Sequence, residues 1–463
     1  VPEPHIKEFH RRDFYSLKEN LDDIKIMGIT GPRQVGKTTL MYQFIENLIE
    51  EGEVDPLRIL FVSFDYPYLT TVAHRPINDV LEAYADMVLK EPIEALSSKI
   101  YVFLDEICSL EDWSKVLKGW YDLKYPIKFI ISDSSSASML KGSAKHLVGR
   151  IDINIMLSLK FIDFIGYHDP DFDYEKISLD LREAFKKSMD GNDPSHYHKA
   201  VKTAFAALAP REKNIQLRLQ DYFLKDGYPE LLDESDLAVC RKRLYDYINL
   251  TLYKDLIRNY EIRSPKMLED LLVVISGGTA QRVNVAQLSD SLSLKRDTVT
   301  KFLEYLESVF LVSRCDFYTT NRASRIKKSK KLYVNNVGIR NVLVSKLDEQ
   351  LLRDPSELGR VVETIVHDHA RRLRYCLLPG DDSPLFYWNN RKGEEVDMVF
   401  EYRRKPVPIE VKYRKDTSDA YLKGIRSFMA EKKTPFGVVV TKNTIDLKDN
   451  VVHIPLWLFL IMC

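Results

Sequence analysis

Three short runs in this chain hold the residue types and spacings that do chemistry. The first is Gly31-Pro32-Arg33-Gln34-Val35-Gly36-Lys37-Thr38-Thr39, which fits G-x-x-x-x-G-K-[ST]. Glycines at this spacing let the backbone curl until its N–H groups converge on phosphate oxygens. Lys37 adds a point charge for the outer phosphates, and the Thr38 hydroxyl can hold Mg²⁺. The second run is Asp105-Glu106, closing "KIYVFLDEI". An aspartate there holds Mg²⁺, directly or through water, and the glutamate beside it polarises an attacking water. A chance glycine-rich turn and a solvent-facing acidic strand end are the plain alternatives; the two runs in this order favour a nucleotide site.

The third constellation is Glu363, Asp397, Glu410 and Lys412. Strand alternation sets Asp397 opposite Val396, Met398 and Phe400, and sets Glu410 and Lys412 opposite Ile409, Val411 and Tyr413. Two carboxylates and a lysine then meet across adjacent strands. Carboxylate oxygens suit Mg²⁺ or Mn²⁺. A metal so held polarises a phosphate and activates a bound water, while a lysine orients that water or steadies the developing charge. The alternative is the solvated face of a hairpin, where cross-strand Glu–Lys pairs stabilise.

The elements that must position these groups are legible around them. "IKIMGIT" reads as a strand before the glycine loop. Leu40/Met41, Phe44/Ile45 and Leu48/Ile49 recur at four-residue spacing after it, a helix with Gly52 as its stop. The loop therefore lies at a helix N-terminus, where anions bind. "RILFVSFDY", "KIYVFLDEI" and "IKFIISDSS" alternate with helical stretches, as in a doubly wound parallel sheet. Residues 168–213 are polar and turn-rich, and a helical region runs on to about 275. Residues 283–318 read as two short helices and a strand, a winged helix-turn-helix with Val299, Phe302, Leu303 and Leu306 as its core stripe. Lys295, Arg296 and Lys301 then face a DNA groove, and "RIKKSKK" (325–331) suits phosphates; a bland module with solvated basic residues is the other reading. A helix over 357–373 carries Glu363 at the edge of its apolar stripe and His367 one turn on. "GEEVDMVFEY" and "KPVPIEVKYRK" pair around Arg403-Arg404, and "RRLR" and "KYRK" supply further phosphate contacts.

These motifs carry two resemblances. "GPRQVGKTTL", "FLDEI" with Trp113, "SDSSS", "HLVGR", "DGYPELL", the block 288–312 and "KSKKLYVNNVGIRNVL" resemble, in order, the prokaryotic AAA+-type ATPases common in archaea. Those proteins carry a C-terminal domain of uncharacterised function. Asp397 and Glu410-Val411-Lys412, with Glu363, resemble the PD-(D/E)XK nuclease fold of restriction enzymes. The resemblance implies ATP with Mg²⁺ at Lys37, Thr38, Asp105 and Glu106, and Mg²⁺ or Mn²⁺ at Glu363, Asp397 and Glu410. It implies a γ-phosphate sensor at Ser132 or Ser134. Arg150 would be an arginine finger, acting within the chain or on a neighbour in a homo-oligomer. Asp133, Cys108 and Asn336 stand where the family has Gly, Gln and Asp; a carboxylate at 133 would oppose a γ-phosphate.

The implied architecture is a P-loop core (1–167), a helical lid (168–275), a winged helix-turn-helix (276–348) and a restriction-endonuclease-like α/β domain (349–463). The implied function is an ATPase coupled to a DNA-directed domain, either a metal-dependent nuclease or an ATP-switched regulator that binds DNA or protein. Composition constrains this little. In 463 residues, room for three or four domains, Lys+Arg and Asp+Glu are both 68, so any nucleic-acid surface must be local. Five scattered cysteines without a C-x-x-C pair disfavour a disulfide framework or zinc site and suit a reducing cytoplasm. No signal peptide is read, although the chain opens on Val1, which leaves room for an initiating segment before it. "IPLWLFLIMC" is too short to span a bilayer and reads as a core strand.

Overall fold

Five apolar runs become the strands β1 (Ile26–Thr30), β2 (Ile59–Ser63), β3 (Ile100–Asp105), β4 (Ile127–Asp133) and β5 (Ile151–Ile155). They form a parallel sheet in the order β2-β3-β4-β1-β5. β1, β3 and β4 are buried almost throughout, as strands covered on both faces must be. The helix Lys37–Glu50 follows β1 and buries Leu40, Met41, Phe44, Ile45 and Leu48. Gly52 closes that helix by donating its N–H to the Asn47 carbonyl.

The computed structural model describes residues 8–66, 69, 74–257, 260, 262, 264–321, 325, 328–378, 384–414 and 419–463. They fall into two compact units. The first holds the parallel sheet, the chain up to Ser158, and the segments 249–263 and 308–310. The rest forms the second. This differs from the four consecutive segments expected. Most of the expected lid belongs to the second unit, and its polar stretch forms the helices Tyr174–Gly191 and Ser195–Leu208. Phe185 of the former meets Phe400, Tyr402 and Phe436, so these helices pack on the C-terminal sheet.

That sheet runs β13-β14-β12-β11-β10-β9-β7-β8-β6. Its strands are β6 (Arg282–Val283), β7 (Val312–Phe317), β8 (Lys330–Val334), β9 (Phe386–Asn389), β10 (Glu395–Tyr402), β11 (Lys405–Lys412), β12 (Gly437–Thr441), β13 (Asp446–Lys448) and β14 (Val451–Pro455). β7 pairs with β9, so one sheet crosses the boundary expected at 348/349. β10 and β11 form the expected hairpin, with Met398 opposite Ile409 and Arg403 and Arg404 both at positive φ in the turn. Helix Pro355–Leu377 covers the sheet. "LWLFLIM", expected as a strand, is a wholly buried helix, Leu456–Met462; a short apolar run does not reveal its period. No described helix is long and apolar enough to cross a membrane, and the five cysteines are unbridged.

Two of the sequence motifs meet in this unit. Asp226 accepts hydrogen bonds from the N–H groups of Gly227 (2.6 Å) and Val337 (2.8 Å). Asn336 caps the helix Val337–Leu343 by accepting from the Ile339 N–H. "DGYPELL" and "NNVGIR" thus hold the fold together, which gives Asn336 the role its sequence left open.

Candidate functional site

The first site is built where β1, β3 and β4 end. Gly31 follows β1 at a point where an added Cβ would lie 1.8 Å from the Met156 carbonyl oxygen, so only glycine fits. Gly36 lies at φ 94°, a left-handed conformation that glycine adopts without strain. Pro32 and Thr39 are half-buried, Gln34 is at the exposed tip and Val35 is fully buried. The buried Arg11 ties the loop down, donating to the carbonyls of Val35 and Leu157 at 2.9 Å each.

Lys37 Nζ donates to the Gly31 and Pro32 carbonyls, both at 2.9 Å. Burial lowers its pKa, while Glu106, Asp133 and Asp105 nearby oppose that effect. The Thr38 hydroxyl donates to Asp105 Oδ2 at 3.0 Å, and the Ser132 hydroxyl donates to Asp105 Oδ1. Ser132 Oγ also accepts the Glu106 N–H at 3.4 Å. Burial raises the Glu106 carboxyl to about 7, against the pull of Lys37. Ser134 Oγ lies 3.4 Å from Glu106 Oε2. The loop, Lys37, and the adjoining Thr38 and Asp105 oxygens fit a nucleoside triphosphate with Mg²⁺.

Three expectations change here. The Asp133 carboxylate accepts the N–H groups of Ser135 (2.8 Å) and Cys108 (3.1 Å), so it is held in place by backbone while its charge still acts on Lys37 and Glu106. Of the two sensor candidates, Ser132 is committed to Asp105, and Ser134 faces Glu106. Arg150 is absent from this end of the sheet. Its carbonyl accepts the Ile26 N–H at the start of β1, roughly 13 Å of strand from the loop, and its guanidinium pairs with Asp122 at 2.7 Å. An arginine finger acting within one chain is therefore corrected.

Sequence reasoning missed the partner of Arg33. The Arg33 guanidinium grips Asp255 through two hydrogen bonds, Nε to Oδ2 at 2.7 Å and a terminal nitrogen to Oδ1 at 2.5 Å. Asp255 lies in the π-helical turn Leu250–Leu256, from which Lys254 also reaches Asp65 at 2.9 Å. One aspartate in "LTLYKDLIRN" carries no spacing signal.

The second constellation does converge, but on an ammonium. Asp397 Oδ2 accepts the Val411 N–H at 2.9 Å, Glu410 Oε2 accepts the Asp397 N–H at 3.4 Å, and Lys412 Nζ donates to Glu410 Oε1 at 2.5 Å. Lys331 Nζ sits among the rest, 2.8 Å from Glu395, 3.1 Å from Glu363 and 3.4 Å from Asp397. Tyr333 OH also donates to Glu363 and stacks on His367. Burial raises Glu410 to about 8 and Glu363 to about 7. Among the described residues no three His, Cys, Asp or Glu side chains are arranged to hold a metal ion. Glu363, Asp397 and Glu410, expected to hold Mg²⁺ or Mn²⁺, are not so arranged: Lys331 lies between two of them, Glu363 and Asp397. Lys331 and Tyr333, two apart on an apolar strand, were the signal to read.

The expected basic contacts are also largely spent internally. Lys330 pairs with Asp316, and Arg325 packs over Phe386. Arg371 and Arg372 pair with Asp368, and Arg374 is buried. Arg414 packs over Tyr421. Ile326, Lys327 and Lys415 lie outside the described residues. Lys295, Arg296 and Lys301 are exposed on and beside the helix Arg296–Ser308.

Residues 23–165 match the model of a family described as an AAA domain. Residues 216–351 and 358–459 match two domains of unknown function, DUF8612 and DUF4143. The chain is 24% identical over 464 residues to the uncharacterized protein MJ1637 of Methanocaldococcus jannaschii, covering 98% of this chain and 90% of that one. It is 22% identical over 450 residues to the uncharacterized protein Rv2008c of Mycobacterium tuberculosis, covering 96% and 83%. Among solved structures it is similar to the Aeropyrum pernix ORC1 protein in complex with DNA, at 11% identity and a TM-score of 0.32, over 76% of this chain and 96% of that one. Residues 23–165 are thus an AAA-type P-loop ATPase domain.

Proposed function

We propose that this chain is an ATP-hydrolysing switch whose second unit presents a helix to DNA. The observation that carries the reading is the hydrogen-bonded chain Thr38–Asp105–Ser132, set between Lys37 and Glu106. Lys37 leaves the loop carbonyls to meet the outer phosphates. Thr38 and Asp105 would hold Mg²⁺, which would supply neutralising charge on the phosphates. Ser132 keeps Asp105 in place and steadies the Glu106 backbone. Glu106, half-buried and raised to about 7, orients the attacking water and takes its proton, with Ser134 beside its carboxylate. Arg150 serves only a neighbouring copy.

The second half of the reading rests on residues 265–334. Helices Pro265–Gly277, Val285–Leu292 and Arg296–Ser308 are followed by β7 and β8, with β6 completing a three-stranded ribbon. This order supports a winged helix, and the Arg296–Ser308 helix buries Val299, Phe302, Leu303 and Leu306 while Lys295, Arg296 and Lys301 stay exposed. The remaining nuclease-like sheet serves as a scaffold. One observation favours a protein partner instead: Asp297 and Glu304 are exposed on the same helix.

The test is fluorescence anisotropy of a labelled duplex with the full chain, with ADP or with a non-hydrolysable ATP analogue. DNA affinity should differ between the nucleotides. The triple change Lys295→Ala, Arg296→Ala, Lys301→Ala should lower it and flatten its salt dependence by a slope of about 2–3. Equal binding by this variant and the wild type would move the reading to a protein partner.

A further inference from the structure

We propose that Lys331 is a built-in cation standing in the place of a divalent metal, so that the carboxylate centre of the second unit is complete without one. An ammonium has three N–H donors, and three carboxylates surround this one, from Glu363 on the covering helix and Glu395 and Asp397 on β10. The Lys331 side chain is 3% exposed. A charge so buried has to be paired, and here it is paired on all sides. The stem cannot carry the charge away. Lys331 lies on the central strand of the ribbon, opposite Cys315 of β7 and Arg282 of β6, and its ammonium is 6.0 Å from the centre of the Tyr387 ring.

Part of the carboxylates' hydrogen-bonding capacity is also spent within the unit. Asp397 Oδ2 is held by a backbone N–H, and Glu410 is shared between the Asp397 N–H and Lys412. A divalent ion would enter only against the ammonium already seated among these carboxylates. The same contacts give Lys331 a second consequence. They clamp β8, a ribbon strand, onto β10 and the covering helix. This inference stands apart from the ATPase reading, since every residue in it belongs to the second unit.

The test uses the full chain without nucleotide, titrated with MnCl₂ and followed by Mn²⁺ electron paramagnetic resonance and thermal unfolding. Wild type should show no Mn²⁺ binding that Asp397→Asn removes. Lys331→Met, which empties the centre but keeps the stem, should unfold at lower temperature. It should gain Mn²⁺ affinity about tenfold or more above wild type, lost again in Lys331→Met with Asp397→Asn, and Mn²⁺ should recover part of its stability. Lys331→Arg keeps the charge and should stay metal-free. Asp397-dependent Mn²⁺ binding by the wild type would overturn the proposal, as would a folded Lys331→Met that gains none. If Lys331→Met fails to fold even with Mn²⁺, the wild-type titration and Lys331→Arg decide alone.

Discussion

Removing the Asp255 carboxylate should loosen the first unit and tighten its hold on nucleotide. In the structure Arg33 and Asp255 share two short hydrogen bonds, and their side chains are 13% and 3% exposed. Breaking a buried pair from one side costs about 3–5 kcal/mol, mostly because a charge is stranded. Arg33 is not wholly stranded here, because Glu106 also bears on it. The loss from Asp255→Ala should thus lie at or just below the low end of that range, about 2–3 kcal/mol. A bound triphosphate would give the released guanidinium a new partner next to Lys37. ATP affinity should rise about tenfold, which returns about 1.4 kcal/mol when nucleotide saturates. The assay is urea unfolding of the variant with and without a saturating non-hydrolysable analogue, with a fluorescent-nucleotide titration alongside. Arg33→Ala and the double variant close the cycle. The reasoning fails if Asp255→Ala costs the same with and without nucleotide, within about 0.5 kcal/mol.

Two further outcomes follow from the geometry. Since Arg150 sits away from its own loop, mixing Arg150→Ala chains with Lys37→Ala chains should restore hydrolysis that neither shows alone; full activity from strictly monomeric protein would exclude the role. Asp226 is fully buried, which raises its carboxyl from 3.8 to about 6, so its contribution to stability is greatest below pH 4 and is lost as pH rises through 6. The stability difference between wild type and Asp226→Asn should therefore shift by about 2.4 kcal/mol between pH 4 and 7 in urea unfolding, and parallel profiles would contradict it.

The nucleotide site was legible because its chemistry is local. Gly31 to Thr39 are consecutive, and Asp105-Glu106 end a strand whose apolar run announces it. The hairpin of β10 and β11 was legible through alternation. What stayed hidden depended on distance along the chain. Asp255 is 222 residues from Arg33, and Lys331 is 32 residues from Glu363 and 66 from Asp397. Lys331 was read within a basic run suited to phosphates or simply solvated, because composition does not show which lysine of four turns inward. The buried helix Leu456–Met462 was misread for another reason: where every residue is apolar, no face distinguishes a helix from a strand.

The central claim is that Glu106 activates water at a site where Lys37 holds the phosphates. Phosphate release from ATP, measured for wild type, Lys37→Ala and Glu106→Gln beside nucleotide binding, tests it most directly. Wild type should hydrolyse ATP with Mg²⁺, Lys37→Ala should lose binding and turnover together, and Glu106→Gln should bind ATP as wild type does while turnover falls about 10²-fold or more. Turnover in Glu106→Gln equal to that of the wild type would contradict the account.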